Sequence, residues 1–531
     1  MYHGINVTSH AAPINIRKCP LMKKNILTFC MALSCAFFTV PPHASAEEHG
    51  WLGVNLDGLA DYSSTETFND AMKSSRRWGR PREPWKHEVK TDELGWPTED
   101  AGVIVFADRA PEEIEGRYRL SFDGQAVVEP LLGCATISDQ STDAAGRNHA
   151  TITVLKGKSM LMISFTKTNG GVRNVTLVRE SRIDKGTFTP ELLAALQPFQ
   201  VIRFMDLENT NSQNRKPEPP WFDATPLEWS QRTTPRHATQ ACQHGAAYEY
   251  VVELANTAKK DAWITVPIHA SKDYQRRMAT FFKEHLDPER VLYVELGNEV
   301  WNWSFAAAQY NLSLAKANPL FDGKYFLCHA WRTYECAQNF IDVFGKEAVN
   351  KNLRFILAWQ FGWNPPDAQP REMLEFVQKQ SGKPVSEWLH ALSIAPYFSE
   401  PKPEDCKDVE TIHEQFKLSS DKSVEGKTKL LKLTKEFNLP GGLCCYEGGP
   451  HHRGQVETNL AIRMAAHRAP QMKDCVMHDL GDNWRKLGGG IFCYFSLSGR
   501  YSKWGCWGAV ESLYHLNTPK YQALKELSTM P

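Results

Sequence analysis

The stretch VLYVELGNEVWNW, Val291 to Trp303, joins a run of apolar residues to the triplet Gly297-Asn298-Glu299. The first half of the stretch predicts a buried β-strand. An unpaired carboxylate in an apolar interior costs several kcal/mol, so Glu295 and Glu299 each need a partner or a function. Three interpretations are open at this point: incidental packing, a structural ion pair, or part of an active site.

Seven further apolar runs share this character, and from about residue 200 onward amphipathic, helix-like segments separate them. Alternating strands and helices predict a parallel sheet with crossover helices. Eight such strands close a TIM (β/α)8 barrel, with a doubly wound open sheet as the alternative. The eight runs cover residues 50–56, 199–206, 262–270, 291–299, 353–361, 390–398, 441–449 and 489–497.

Residues 97–185 break this rhythm with short alternating runs separated by Gly, Asn and Asp. That pattern is typical of an antiparallel β-sandwich. The predicted fold is therefore α/β, a TIM barrel with an inserted antiparallel β-sandwich domain. The sandwich could be a carbohydrate-binding accessory domain or a wall that lengthens the cleft. Residues 47–96 would hold the first barrel strand and the segment after it, and residues 186–531 the rest of the barrel.

The N-terminal residues 1–46 predict a leader with a signal peptide. Lys23 and Lys24 precede the apolar run 26–40, and Ala44-Ser45-Ala46 supplies small residues for cleavage after Ala46. Met22 directly precedes Lys23 and is an alternative start. An amphipathic first helix is the other interpretation of the run, which is too short to span a bilayer as a stable helix. We expect a secreted or periplasmic protein with no membrane association after cleavage.

The amino-acid composition argues against nucleic-acid binding and favours carbohydrate binding. The formal net charge of the 531 residues is +0, whereas a nucleic-acid binder normally carries a basic surplus. The chain contains 16 Trp, whose faces can stack on sugars. We expect a carbohydrate partner, no nucleic acid, and a monomer.

The cysteines suggest disulfides rather than metal binding. Of the 13 cysteines, Cys19, Cys30 and Cys35 precede residue 47, which leaves an even number that would allow full pairing in an exported protein. No C-x-x-C pair occurs, and the adjacent Cys444-Cys445 is poor geometry for tetrahedral zinc. The sequence therefore predicts no metal site and no cofactor.

Polar residues end the predicted barrel strands, where the active sites of such barrels lie. They are Arg203, Asp206, His269, Asn298, Glu299, Trp359, Gln360, Tyr397, Glu447, Tyr494 and Ser496. Two of them, Glu299 on the fourth strand and Glu447 on the seventh, would face each other across the barrel mouth. Hydrolysis of a glycosidic bond needs two carboxyl groups of this kind, one to protonate the leaving oxygen and one to attack or to activate water.

Neighbouring residues could support the pair. Arg203 could hydrogen-bond Glu447 and favour its ionised form, and Tyr397 could orient it. Asn298 could hold the 2-hydroxyl of a bound sugar. Glu295 would lie about two residues below the mouth, on the same strand face as Glu299, and is predicted to be a buried structural acid paired with Arg203 or another inward base.

This combination resembles the glycoside hydrolases of clan A: Asn298-Glu299 at the end of strand four, Glu447 ending strand seven, Arg203 on strand two and Tyr397 on strand six. The resemblance covers roughly residues 195–515 and 50–56. It implies that Glu299 is the acid/base, that Glu447 is the nucleophile, and that configuration is retained.

The strings VIRFMDLENTNS and YVELGNEVWN are similar to an uncharacterised bacterial branch of clan-A-like proteins. Two features depart from the clan. Ala395 stands two residues before Tyr397, where many members have His, and strand eight ends without a clear Trp. These departures bear on the substrate subsites more than on the catalytic pair.

Further residues are predicted to bind substrate: Arg203, His269, Asn298, Trp301, Trp359, Tyr397 and Trp504. His269 could instead be a polar cap on strand three, and of Trp301 and Trp303 one could pack on the barrel while the other stacks on sugar. The predicted function is a secreted retaining glycoside hydrolase that cleaves β-glycosidic bonds in a polysaccharide or oligosaccharide. The alternatives are a non-catalytic carbohydrate-binding protein on the same barrel, and an exported enzyme whose carboxylates surround a divalent metal.

Overall fold

The computed structural model describes residues 50–530, so the predicted leader and its cleavage site lie outside the described residues. It contains 17 strands. In chain order they are β1 (Leu52–Asn55), β2 (Ala101–Phe106), β3 (Gly116–Asp123), β4 (Val127–Pro130), β5 (Ala135–Thr142), β6 (Asn148–Val154), β7 (Leu161–Thr166), β8 (Arg173–Arg179), β9 (Val201–Arg203), β10 (Asp261–Val266), β11 (Leu292–Leu296), β12 (Leu353–Ala358), β13 (Leu389–Ile394), β14 (Phe398–Ser399), β15 (Gly442–Gly448), β16 (Pro450–His451) and β17 (Phe492–Tyr494).

Eight parallel strands close a barrel in the order β1, β9, β10, β11, β12, β13, β15 and β17, with β17 pairing back onto β1. Six of the eight predicted runs contain one of these strands, and β10 and β13 each begin one residue before their run. The closed barrel confirms the predicted fold, and the open-sheet alternative is wrong. Parallel barrel strands are covered on both faces, which is why they read as nearly continuous apolar runs in the sequence.

Helices connect most of the barrel strands. They are α1 (Pro111–Ile114), α2 (Pro190–Ala195), α3 (Tyr248–Ala258), α4 (Lys272–His285), α5 (Ala306–Ala317), α6 (Tyr325–Phe344), α7 (Ala368–Ser381), α8 (Val409–Glu436), α9 (Leu460–Arg468), α10 (Met472–Val476) and α11 (Pro519–Leu527), with a π-helix at Met477–Arg485. Within residues 50–530, no helix combines the length and the apolar character needed to cross a bilayer.

Between β1 and β9 the chain forms two antiparallel sheets, in the orders β2-β7-β4 and β5-β6-β3-β8. Both sheets contribute to one apolar core, with Val103 and Phe165 from the first sheet and Leu120, Ile152 and Leu177 from the second. This is the predicted β-sandwich. Sequence reasoning missed β4 and β5, and β5 is hard to recognise because most of its residues are exposed and polar.

The cysteines do not form the disulfides that their even number would allow. All ten cysteines of residues 50–530 are free. Nine are buried, and several lie on barrel strands, where Cys444, Cys445 and Cys493 pack as small apolar residues. The expectation of full pairing is therefore not met in the described part of the chain.

The end of β11 departs from the predicted strand geometry. The strand stops at Leu296, and the next residues turn through left-handed backbone, with φ of +67° at Gly297 and +40° at Glu299. The alternation that would place Glu295, Gly297 and Glu299 on one strand face therefore ends at Leu296. A Cβ on Gly297 would lie 3.2 Å from Ile268 Cδ1 and 3.2 Å from Val300 Cγ1.

We expect Gly297→Ala to destabilise the protein more than Gly382→Ala. Both glycines have a φ of +67°, so both substitutions carry the backbone cost of a Cβ in this region, about 1 kcal/mol. A Cβ at Gly382 meets nothing within 4 Å, whereas one at Gly297 presses on Ile268 and Val300. Thermal unfolding of the two variants measures the difference. Equal midpoints would contradict the close packing at Gly297.

Candidate active site

The Arg203 guanidinium lies at the centre of the candidate site, at the end of β9, and is fully buried. Its Nε and Nη2 donate to the two oxygens of Glu295, each at 3.1 Å. Nη1 donates to Asn55 Oδ1 at 3.0 Å and to Glu447 Oε2 at 3.5 Å. Nη2 also donates to Asn298 Oδ1 at 2.8 Å. One cation thus contacts residues from the ends of β1, β11 and β15.

Glu295 is a structural acid, as predicted. Its carboxylate receives the paired donors of Arg203 and also the Trp263 indole N–H at 2.8 Å. Burial raises the pKa of Glu295, and the charge of Arg203 and the Trp263 hydrogen bond oppose that rise. Both oxygens of this carboxylate therefore have hydrogen-bond partners inside the barrel.

Glu447 lies near the C-terminal end of β15 and is buried. Burial raises its pKa, and the negative charge of Glu299 is the second cause. The charge of Arg203 and a hydrogen bond from the Tyr397 hydroxyl act in the opposite direction. The structure therefore brings Arg203 and Tyr397 to the carboxylate that each was predicted to support.

Glu299 lies in the turn after β11 and is half-buried. Its Oε1 accepts the Tyr446 hydroxyl at 3.0 Å, and its Oε2 accepts the Asn302 amide at 2.9 Å. Tyr446 precedes Glu447 on β15, so one strand carries Glu447 and also holds Glu299 in place. The Trp301 ring packs against Tyr446 with centroids 6.1 Å apart.

The Glu299 carboxylate acts on two neighbouring groups. After burial, its charge is the second cause of the raised pKa of Glu447. Burial is also the main cause of the raised pKa of the Tyr446 hydroxyl, and the charges of Glu299 and Glu447 add to it. Two neighbouring carboxylates resist being ionised together, so such a pair tends to hold one proton between them. One protonated and one ionised carboxyl group is the state that acid catalysis combined with nucleophilic attack requires.

Two further acids line the mouth beside Glu447. Asp57 follows β1, and burial together with the charge of Asp206 raises its pKa to about 7. Asp206 follows β9, and burial raises its pKa to about 6. The charge of Asp206 also contributes to the raised pKa of Glu447. Sequence reasoning missed Asp57, which stands one residue past the first apolar run; reading that strand's end like the others would have found it.

A cavity of about 720 Å³ has Asp206 among its lining residues. Neither Glu299 nor Glu447 lines it, so Asp206 is the residue that links the carboxyl pair to the cavity. Its lining includes the segment after β1 and residues near the inserted sheets: Gly58, Tyr62, Arg76, Arg77, Trp78, His87, Asp92, Asn209, His237 and Gln243.

The polar substrate-binding candidates Asn298 and His269 differ in their hydrogen-bond partners. Asn298 is held by Arg203 and donates its amide to Asn211 Oδ1 at 3.1 Å, which leaves a second amide hydrogen for a ligand. His269, at the end of β10, is buried, and burial lowers its pKa to about 4. Its Nδ1 has no hydrogen-bond partner among the described residues. His269 is therefore neutral, and both of its predicted roles stay open.

The tryptophan candidates differ in how exposed their rings are. Trp301 is buried and packs on Trp359 with centroids 4.7 Å apart, whereas Trp303 is 50% exposed. Trp359 is 1% exposed and donates its indole N–H to Gln369, so it has the contacts of a core residue rather than a sugar platform. Trp504 is 59% exposed, with the Lys503 ammonium 5.3 Å from its ring centre.

A row of aromatic rings extends the site from Tyr397. The ring centroids of Tyr397 and Phe495 are 6.4 Å apart, and those of Phe495 and Trp507 are 5.9 Å apart. The buried Nε1 of Trp507 has no hydrogen-bond partner within the described residues, which makes it a candidate donor to a ligand. Trp504 and Trp507 both follow strand eight in the sequence, but only Trp504 was predicted to bind substrate.

Comparison with known proteins adds little to this picture. No family model matches the chain, and no curated protein matches it. One similar solved structure is a beta-glucosidase mutant derived from a hyperthermophilic tetrameric structure. It is 13% identical, with 64% of this chain and 83% of that chain covered and a TM-score of 0.34. This likeness is too distant to carry an argument.

The raised pKa of Glu447 predicts how stability depends on pH. A carboxyl group whose folded pKa lies above its unfolded value favours the folded state at low pH and loses that contribution as pH rises from about 4.5 through the folded value. We expect Glu447→Gln to gain thermal stability over the native chain as pH rises from 4.5 to 8, by roughly 2 °C or more.

Glu299→Gln provides the companion variant for this measurement. It removes the like charge beside Glu447 and therefore lowers the pKa of Glu447, so it should also gain stability at the upper end of the range. A stability difference that does not change with pH in either variant would contradict the interaction of the two carboxyl groups.

Proposed function

We propose that this protein is a retaining glycoside hydrolase that acts on β-glycosidic bonds, with Glu447 as the nucleophile and Glu299 as the acid/base. The observation that carries the proposal is the pair of interacting carboxyl groups at the carboxyl ends of β11 and β15, at the mouth of the closed barrel. A glycosidic bond placed between two such groups meets both residues that its hydrolysis needs.

The surroundings of the two acids support this division of roles. Arg203 and Tyr397 both stabilise the ionised form of Glu447, which is the form that attacks. Glu299 is more exposed, and a leaving group and an incoming water can reach it there. Burial and the charge of Glu299 oppose ionisation of Glu447, so the proposed first step requires that sugar binding favours the carboxylate form of Glu447.

The proposed reaction has two steps. The Glu447 carboxylate attacks the anomeric carbon while the bond to the leaving oxygen breaks and Glu299 gives its proton to that oxygen. Glu299 then removes a proton from water, the water oxygen attacks the same carbon, and the bond to Glu447 breaks. Glu447 returns to its carboxylate form, and Glu299 holds the proton again.

The substrate we propose is an oligosaccharide or polysaccharide. The cavity that begins at Asp206 is large enough for sugar units beyond the bond that is cleaved, and Trp303 and Trp504 expose aromatic faces. We further propose that the protein acts as a monomer and reaches the periplasm or the medium through the signal peptide in residues 1–46. N-terminal sequencing of the mature protein tests the export proposal, and a first residue of Glu47 is the expected result.

We expect Glu447→Gln and Glu299→Gln to lose activity in different ways. Glu447→Gln should lose at least about 10³-fold in kcat/KM on every substrate, because it removes the proposed nucleophile. Glu299→Gln should lose about 10²- to 10⁴-fold on natural glycosides but much less on an aryl glycoside, whose leaving group needs no protonation. Initial rates on a polysaccharide panel and on nitrophenyl glycosides measure both effects.

Glu129→Gln, an exposed position on β4, is the matched control and should retain full activity. Sugar binding without hydrolysis by the native chain would instead support a non-catalytic carbohydrate-binding protein. If the native chain neither binds nor cleaves any glycan of the panel, the proposal loses its basis. Activity that is abolished by a chelator would favour the metal-dependent alternative.

Retention of configuration is tested by NMR of the first product. A β-linked substrate should release the β-anomer before mutarotation, because two displacements at the anomeric carbon restore its configuration. Release of the α-anomer would show that Glu447 activates water instead of forming a bond to the sugar.

A further inference from the structure

Three potential metal ligands meet in the interior beside the barrel mouth. His452 follows β16, His467 lies on α9, and Cys506 lies in the loop after β17. One imidazole nitrogen from each histidine and the Cys506 sulfur all lie within 4.8 Å of one another. The exposed fractions of the three residues are 3%, 0% and 0%.

The two histidines lack the hydrogen bonds that buried imidazoles normally make. Both ring nitrogens of His452 and both of His467 are buried and have no hydrogen-bond partner among residues 50–530. A neutral imidazole has one donor and one acceptor, and leaving such groups unpartnered in the interior is costly. Two buried histidines without hydrogen bonds, each with one ring nitrogen in the cluster, therefore indicate a ligand.

Glu400 lies beside His452, outside the group of three ligand atoms. Its side chain is fully buried, and its Oε1 lies 3.5 Å from His452 Nδ1. Its Oε2 has no hydrogen-bond partner within the described chain. The residue follows β14, which pairs with β16, and this pairing holds Glu400 beside His452.

We propose that His452, His467 and Cys506 bind a Zn²⁺ ion, with Glu400 orienting the His452 imidazole. Imidazole nitrogens and a thiolate are ligands that zinc prefers, and a carboxylate beside a ligating histidine commonly orients its ring. The thiolate disfavours Mg²⁺ and Ca²⁺, which prefer oxygen ligands. Because all three ligands are buried, the ion would be structural, and a water molecule would complete the tetrahedron.

Two buried cations, Arg463 and Lys520, lie next to residues of the cluster. Zinc binding releases the thiol proton of Cys506, so the thiolate offsets one charge of the ion, whereas the charge of Glu400 is already paired with Arg463. Arg463 already donates to Glu400 Oε1 through Nη2 at 2.6 Å and Nε at 2.9 Å. The buried Lys520 ammonium donates to the backbone carbonyl oxygens of Cys506 and Gly508.

The ion would join three segments that form one side of the barrel mouth. His452 lies five residues after Glu447, and Cys506 lies between Trp504 and Trp507. Zinc would therefore fix the loops after β15 and β17 to α9. The sequence predicted no metal because the ligands stand at positions 452, 467 and 506, without the short spacing that marks most zinc motifs.

Metal analysis of the purified full chain tests the proposal. After a weak chelator removes loosely held ions, mass spectrometry should find about one zinc per chain. Cys506→Ser and His467→Gln should hold less than about a tenth of that amount, since each loses a ligand. Cys134→Ser removes another buried free cysteine, in the inserted sheets, and should keep full zinc.

A second measurement needs no variant and so does not depend on variant folding. The native chain, stripped with a strong chelator and titrated with Co²⁺, should develop a thiolate-to-cobalt charge-transfer band and the intense visible bands of a tetrahedral ion. Zinc should then displace the cobalt and raise the thermal midpoint.

Two results would overturn the proposal: a native chain that takes up neither zinc nor cobalt, or full zinc retention by Cys506→Ser. Stoichiometric uptake of copper(I) with rejection of zinc would overturn the choice of metal. The site does not rest on the proposed glycosidase activity, because metal content and cobalt spectra are measured without any sugar.

Discussion

The structure of the barrel mouth depends on one buried cation. Arg203 has no exposure to water, and a buried guanidinium is tolerated only when its donors are paired. Glu295 supplies the paired contacts from within the barrel, and the remaining donors reach Asn55, Asn298 and Glu447. Because these acceptors come from different strands, the pairing of one charge sets the relative positions of the strand ends.

Depth separates the acids that share this environment. Both oxygens of the buried Glu295 accept hydrogen bonds from Arg203, and one of them also accepts the Trp263 indole N–H, so the role of Glu295 is structural. Glu447 receives only the longest contact of Arg203, at 3.5 Å, and lies within the field of Glu299 and Asp206. Glu299 lies outside the strand, held by Tyr446 and Asn302. Three residues of the same type thus have three different sets of hydrogen-bond partners.

Much of the fold could be predicted because burial leaves a local signal in the sequence. Barrel strands are apolar along their length, so all eight were recognised, and reading their ends found Glu299, Glu447, Arg203 and Tyr397. Features that do not depend on local burial leave no such signal and were not predicted. The exposed strand β5 lacks apolar alternation, and the turn at Glu299 depends on positive φ values that only Gly297 hints at.

The histidine and cysteine cluster was lost for a different reason. His452, His467 and Cys506 lie on three separate segments, which become neighbours only when the chain has folded. The spacing of these residues in the sequence does not indicate that they are close in space. The absence of a local zinc motif was a sound reason to exclude a zinc finger. It was a weak reason to exclude a site assembled from distant segments.

The placement of the cavity bears on the role of the inserted sheets. The cavity is lined by Arg76 and Trp78, and the neighbouring Gly79 exchanges backbone hydrogen bonds with Gly102 on β2, each at 2.9 Å. The Trp78 ring packs into the core of the sheets. At its other end the same cavity reaches Asp206 at the barrel mouth. The inserted sheets therefore support one side of a cleft that begins at the acids, which favours a wall of the cleft over an independent accessory domain.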